Sequence, residues 1–121
     1  MNFCFIVNPN SGVKKSLDIF NQVEKKFKIK NINPNLFLTK HRGHAIDIVK
    51  NIDIDSYNGI IVIGGDGTFH EVVNGLFQRL DKKTLPIGII PGGSGNSFLY
   101  DNATTDPLLI AEQILNLQKQ P

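Results

Sequence analysis

The sequence predicts an α/β fold with three layers, in which helices cover both faces of a mostly parallel sheet. Short, continuous apolar segments alternate along the chain with longer segments whose apolar residues recur at helical spacing. The 121 residues suffice for one domain with a buried core, and the 40% apolar and 20% charged residues are typical of a globular protein.

Each element has its own signal in the sequence. Four segments have the continuous apolar character of buried strands: FCFIV (3–7), NLFLT (35–39), GIIVI (59–63) and LPIGIIP (85–91). Four stretches between and after them carry apolar residues at helical spacing. These are Leu17, Phe20, Val23 and Phe27, then Ala45, Ile46, Val49 and Ile52, then Phe69, Val72, Val73, Leu76, Phe77 and Leu80, and a last helix around Leu108 to Leu117.

Composition and charge exclude several classes of protein. The N-terminal segment MNFCFIVNPN lacks a basic region before its apolar residues, and therefore predicts a buried strand rather than a signal peptide. Cys4 is the single cysteine, so no internal disulfide can form and a reducing cytoplasm is the expected location. The net charge is only +2, and Lys25 to Lys30 indicate a solvated helix face. No basic stripe is interleaved with aromatic residues, so nucleic acid is not an expected partner.

Four polar or glycine-rich loops follow the four predicted strands. They are NPNSG (8–12), TKHRG (39–43), GGDGT (64–68) and PGGSGN (91–96). Ligands of parallel α/β sheets bind outside the carboxyl ends of the strands, where all four loops would meet. Glycines allow backbone N–H groups to approach an anion, and a helix that begins there adds positive charge, so a phosphate site is predicted. For any single loop, tight turns and close helix packing explain the glycines equally well.

Asp66 is the one carboxylate among the glycines of GGDGT. A carboxylate repels phosphate, unless it holds a metal ion that bridges phosphates or accepts a proton from an attacking hydroxyl. The alternative is that Asp66 caps a helix that begins near Gly67. The dinucleotide fingerprint would require glycine where His70 or Phe98 stands, and no P-loop or zinc-binding pair of histidines is present.

Four motifs occur along the chain in this order: NPNSG, TKHRGHA, GGDGTFHEVVNG and PGGSGNSF. Together they resemble the catalytic domain of the diacylglycerol kinase and sphingosine kinase family. The resemblance extends from Phe3 to about Tyr100. It implies a Rossmann-like fold, similar to the N-terminal domain of lipid kinases and NAD kinases. It also implies ATP-dependent transfer of the γ-phosphoryl group to a lipid hydroxyl of the diacylglycerol or sphingoid type, with Mg²⁺ as a cofactor.

The resemblance also implies roles for individual residues. Asp66 would be the catalytic base or an organiser of the phosphates and Mg²⁺, while Lys40 or Arg42 could neutralise charge. For Arg42, a solvated position at the start of a helix is the alternative. His44 and His70 are expected to be structural or close to the nucleotide, rather than proton carriers. The ATP-binding residues would be Asn8, Pro9, Asn10, Ser11, Gly12, Thr39, Gly65, Gly67, Thr68, Glu71, Gly93, Ser94 and Gly95.

The sequence departs from the family pattern in two respects. Ser94 stands where bacterial-type members usually carry threonine, which favours the sphingosine kinases. Family members also continue into a β-rich lipid-binding domain, whereas residues 1–121 correspond to a single nucleotide-binding catalytic domain. The expected partners are ATP, a lipid at the inner membrane surface, and the missing C-terminal domain or a partner chain, without which this chain is expected to be inactive. An NAD kinase-like or phosphofructokinase-like enzyme and a non-catalytic nucleotide-binding module are the alternatives.

Overall fold

The fold is an all-parallel sheet with helices on both faces, which confirms the predicted α/β class. The computed structural model describes residues 1–10 and 16–91. Within these residues the elements are β1 (Asn2–Val7), α1 (Ser16–Ile29), β2 (Asn33–Leu38), α2 (His44–Asn51), a 3₁₀ turn (Ile54–Ser56), β3 (Gly59–Gly64), α3 (Asp66–Phe77) and β4 (Ile87–Pro91). The strand order is β2-β1-β3-β4.

The carboxyl ends of the strands are aligned at one edge of the sheet. Val7 is paired with Leu38 of β2 on one side and with Ile63 of β3 on the other. Gly64 is paired with Pro91 at the end of β4. The loops that follow β1, β2 and β3 therefore start side by side, as the sequence predicted for a parallel sheet.

One face of the sheet packs against α1. The ring of Phe5 lies edge-to-face with the rings of Phe20 and Phe27, at centroid separations of 5.3 Å and 5.4 Å. Such aromatic pairs contribute about 0.5–1.5 kcal/mol each beyond the burial of their area. The buried cluster on this face consists of Phe3, Phe5, Val7, Phe20, Val23, Phe27, Ile32, Ile61, Ile63 and Ile90.

The opposite face packs against α2 and α3. Strand residues alternate in direction, so the side chains of Cys4 and Ile6 point to this face while their neighbours point to the other. The buried cluster here consists of Cys4, Ile6, Ala45, Val49, Ile60, Val62 and Val72. Burial raises the pKa of the Cys4 thiol to about 12, because the thiolate would lose its solvation.

The helices α2 and α3 approach each other closely at Gly75. A Cβ atom on Gly75 would lie 2.9 Å from the carbonyl oxygen of Ile46 and 2.9 Å from the Cβ of Val49. Because one of these neighbours is backbone, only glycine fits without a shift of a helix. The glycine at this position is therefore explained by packing, and it keeps the two helices side by side.

The third helix in the structure is shorter than the apolar pattern predicted. α3 ends at Phe77, whose side chain is 83% exposed, and Leu80 lies beyond the helix and is 99% exposed. Beyond the helix, Arg79 donates hydrogen bonds to the carbonyl oxygens of Val49 and Ile52 on the α2 side, at 2.7 Å and 3.1 Å. Including Leu80 in the helical stripe was therefore wrong.

Two further predictions concern surfaces and regions outside the sheet. The lysines of the 25–30 segment are exposed, as predicted for a solvated helix face. The helix predicted around Leu108 to Leu117 lies outside the described residues, so it stays a prediction. Within residues 1–10 and 16–91, no helix combines the length and the apolar character that a membrane span requires.

Candidate functional site

A cavity of about 300 Å³ opens at the carboxyl ends of the strands, between the loops that follow β1 and β2 and the first turns of α3. It is the place at which the sequence predicted a ligand crevice. Its described lining residues are Asn8, Asn10, Thr39, Lys40, His41, Arg42, Gly67, Thr68 and Glu71. The cavity is therefore polar, with three basic residues along one wall.

The sheet holds the first polar residues of two loops in place. The backbone N–H of Asn8 donates to the carbonyl oxygen of Ile63 at 3.2 Å, and that of Thr39 donates to Val7 at 2.9 Å. Both bonds continue the strand pairing by one residue beyond the strand ends. The side-chain amide of Asn8 lies 3.5 Å from the hydroxyl oxygen of Thr68. Residues from three separate loops thus meet at one end of the sheet.

A local turn orders the loop after β1. The side-chain oxygen of Asn8 accepts a hydrogen bond from the backbone N–H of Asn10 at 3.0 Å, which is a turn that asparagine favours. Pro9 lies between these two residues and does not line the cavity. Of the other predicted nucleotide-binding residues, Ser11, Gly12, Gly93, Ser94 and Gly95 lie outside the described residues.

Different physical reasons explain the individual glycines at the start of α3. A Cβ atom on Gly64 would lie 3.3 Å from the hydroxyl oxygen of Thr68, so packing explains that glycine. For Gly65 and Gly67, no atom of the described residues lies within 4 Å of such a Cβ, and neither glycine has a positive φ. Within the described residues, neither packing nor a positive φ requires glycine at these two positions. The space beside these two residues is instead left open by the part of the chain that the structure describes.

Within the described residues, the first amides of α3 have no acceptor inside the helix and can serve as donors. The first hydrogen bond of the helix runs from the N–H of Phe69 to the carbonyl oxygen of Gly65, so the N–H groups of Asp66, Gly67 and Thr68 precede it. The helix dipole adds about half a positive charge at this end. Because Gly67 and Thr68 line the cavity, this charge and these donors lie at its wall.

Asp66 is the first residue of α3, and Gly65 occupies the cap position before it. The alternative, that Asp66 caps a helix beginning near Gly67, is therefore wrong. The side chain of Asp66 is exposed, and Asp66 is not one of the described residues that line the cavity. Its carboxylate lies at the positive end of the helix, where negative charge is favourable.

The carboxylate of Glu71 is bound to the backbone of the second loop. Oε2 accepts a hydrogen bond from the N–H of Gly43 at 3.1 Å, and Oε1 accepts one from the N–H of Ala45 at 3.2 Å. Gly43 precedes α2 and has a φ of 85°, in the left-handed region that favours glycine. Glu71 thus caps α2 from the neighbouring helix, and a contact with a nucleotide stays a prediction.

Residues 40–42 form the basic wall of the cavity, and hydrogen bonds within residues 40–44 order this part of the chain. The backbone N–H of Lys40 donates to Nδ1 of His44 at 2.9 Å, so this nitrogen carries no proton. The ring of His41 stacks on that of His44 at a centroid separation of 4.7 Å, and its Nδ1 lies 2.9 Å from the carbonyl oxygen of Arg42. His44 is therefore structural, as expected, whereas His70 is exposed and does not line the cavity.

His41 is the lining residue that the sequence reasoning missed. It stands between Lys40 and Arg42, both of which had been considered as sources of positive charge, and its position in the same loop was the available signal. Within the described ranges, no cluster of three histidine, cysteine or acidic side chains could hold a metal ion.

The sequence as a whole matches a family model described as the diacylglycerol kinase catalytic domain, over residues 2–121. It is 44% identical to sphingoid long chain base kinase 4 of Schizosaccharomyces pombe, an alignment that covers 93% of this chain and 26% of that protein. It is 34% identical to sphingosine kinase 1 of Homo sapiens, covering 86% of this chain and 30% of that protein.

The fold is also similar to a solved structure of a diacylglycerol kinase from Bacillus anthracis. The TM-score is 0.65 and the sequence identity is 28%, with 92% of this chain and 42% of the other chain covered. This chain therefore spans less than half the length of each of these three proteins.

Proposed function

Because the chain belongs to the diacylglycerol kinase catalytic domain family, we propose that it binds ATP with Mg²⁺ at the cavity beside α3. The polypeptide that carries the chain then transfers the γ-phosphoryl group to a lipid hydroxyl. The observation that carries the proposal is the space that the described residues leave open at Gly65 and Gly67, next to the first amides of α3. Gly67 lines the same cavity as the basic residues 40–42.

The chemistry of the cavity suits phosphate groups. Phosphoryl transfer requires positioning and neutralised charge more than covalent chemistry from the protein. Backbone amides of Gly67 and Thr68 supply donors, and the basic residues 40–42 supply positive charge. At about 300 Å³ the cavity is at the lower end of the size range for small-molecule sites.

Asp66 is the residue to which we assign the chemical role. Mg²⁺ usually takes one or two carboxylates together with phosphate oxygens and water, so a single exposed carboxylate beside a phosphate site fits this ion. Bound in this way, Mg²⁺ would neutralise the phosphate charge. Alternatively, the Asp66 carboxylate accepts the proton of the attacking hydroxyl as a general base.

Calorimetric titration of the 121-residue chain with ATP–Mg²⁺ tests the binding step. We expect weak but measurable binding, and no heat at millimolar nucleotide would contradict the proposal. In the longer polypeptide that carries the chain, Asp66→Asn should lower turnover by about 10²–10⁴-fold if Asp66 is the base. The control is Asp18→Asn, which removes an equivalent carboxylate from the first turn of α1. Near-normal turnover of the Asp66 variant would exclude the base assignment.

We further propose that the lipid acceptor is a sphingoid base rather than diacylglycerol, and that residues 1–121 need a second domain to phosphorylate it. The names of the two relatives compared above, both sphingoid kinases, and the small fraction of their length that this chain spans support this. An assay with sphingosine and diacylglycerol in matched micelles tests the preference. Faster phosphorylation of diacylglycerol would contradict it, and lipid kinase activity of residues 1–121 alone would contradict the need for a second domain.

A further inference from the structure

We propose that Glu71 is a positioning residue, which holds the basic wall of the cavity at a fixed distance from α3. Its effect on ATP affinity rests on the function proposed above. Its effect on the loop does not, because the hydrogen bonds that carry it are made by the protein alone.

The geometry of the carboxylate supports this assignment. Each oxygen accepts one backbone N–H, from Gly43 at 3.1 Å and from Ala45 at 3.2 Å, so both face the start of α2. Gly43 occupies the cap position of α2 but has no side chain with which to cap it. A carboxylate is the strongest acceptor for such amides, and its charge is favourable at the positive end of the helix.

The same helix carries the phosphate-facing amides and this carboxylate. Glu71 lies one helical turn after Gly67 on α3, while Gly43 directly follows the basic wall formed by residues 40–42. The opposite end of that wall is held by the hydrogen bond from the N–H of Lys40 to His44. The wall is therefore anchored at both ends, and one of the two anchors comes from α3.

Close packing also sets the distance between α2 and α3. Gly75, one turn further along α3, lets the backbone of α2 approach to a distance that no larger residue would permit. With the helices in contact there, the Glu71 hydrogen bonds determine how the loop before α2 lies against the cavity. A change at Glu71 is therefore expected to alter the position of the wall.

Amide hydrogen exchange, measured by NMR on the chain without nucleotide, tests the anchor directly. In Glu71→Ala, the N–H groups of Gly43 and Ala45 should exchange about 3- to 30-fold faster. Glu71→Gln keeps one carbonyl acceptor and should retain part of the protection. Glu24→Ala removes a carboxylate that pairs with Lys28 on α1, and it should leave both amides unchanged.

Titration of the same variants with ATP–Mg²⁺ measures how strongly the anchored position of the wall affects binding. We expect affinity to fall by about 3- to 30-fold in Glu71→Ala and by less in Glu71→Gln. Unchanged exchange at Gly43 and Ala45 in both variants would overturn the proposal, whatever the affinities. If the wild-type chain binds no ATP, the proposed function fails, but faster exchange in the variants still supports the anchor. If Glu71→Ala does not fold, the exchange rates of Glu71→Gln decide.

Discussion

Replacing Gly67 with alanine separates stability from ligand binding at this site. Gly67 is the second residue of α3, and the described residues leave the space around its missing side chain empty. Its backbone does not need a positive φ. Alanine should therefore fit the folded protein without strain, while its methyl group projects into the region where we place the phosphates.

The expected magnitudes have opposite signs. Alanine in a helix is favoured over glycine by about 0.5–1 kcal/mol, chiefly because it reduces the freedom of the unfolded chain. The melting temperature of Gly67→Ala should thus rise by about 2–5 °C. Displacing one charge-assisted hydrogen bond to a phosphate costs about 1.5–3 kcal/mol, so ATP–Mg²⁺ affinity should fall by about 10- to 100-fold.

Urea unfolding and calorimetric titration of the same preparations measure both effects. Gly75→Ala is the matched control, because it makes the same change in the same helix where a Cβ would lie 2.9 Å from the carbonyl oxygen of Ile46. It should lower stability by about 1–3 kcal/mol. If Gly67→Ala lowers stability, the space is not open. If it binds ATP–Mg²⁺ as tightly as the wild type, the glycine does not serve the ligand.

Three further predictions concern the α2 side of the sheet. Arg79→Ala should lower the free energy of unfolding in urea by about 1–3 kcal/mol, because the carbonyl oxygens of Val49 and Ile52 lose a charged donor. A loss below about 0.5 kcal/mol would contradict this prediction. The hydrogen bond from Arg79 lowers the pKa of Asp81 from 3.8 to about 2, so the stability that this carboxylate contributes should be present above pH 3.8 and lost as the pH falls through about 2. The advantage of the wild type over Arg79→Ala in urea should shrink in that window, and a constant difference would refute the assignment. Cys4, whose pKa burial raises to about 12, should resist iodoacetamide at pH 8 in the native protein and react once urea unfolds it. Equal rates in both states would show that the first strand is not buried.

The order of elements and the position of the site could be predicted from the sequence. The strand segments are continuous apolar runs, and period-3.6 patterns separate them, so the parallel sheet and the alignment of the loops follow from local composition and general rules of connection. The residues Asn8, Thr39 and Thr68 were expected at one site, and they line one cavity. The motifs that resemble the lipid kinase family added the expected chemistry.

Other features depend on contacts between distant parts of the chain. The apolar pattern extended the third helix to Leu80, but the helix ends where Arg79 reaches the end of α2. The carboxylate of Glu71 binds amides 26 and 28 residues away, a contact that the sequence did not indicate. No local pattern encodes such pairs, because they arise only when two helices pack together.

The glycines show the difference between what the sequence indicates and what only the tertiary structure shows. As letters in the sequence, the glycines at 64, 65, 67 and 75 are equivalent, and each fits either a packing role or a ligand role. They differ in the space around each missing side chain. Neighbouring residues fill this space at Gly64 and Gly75, whereas the described residues leave it open at Gly65 and Gly67. The sequence by itself determined the fold class, the order of helices and strands within the described residues, and the end of the sheet at which the polar cavity opens. Only the tertiary structure decided which residues serve packing and which face the cavity, because that depends on distances between elements that the chain brings together on folding.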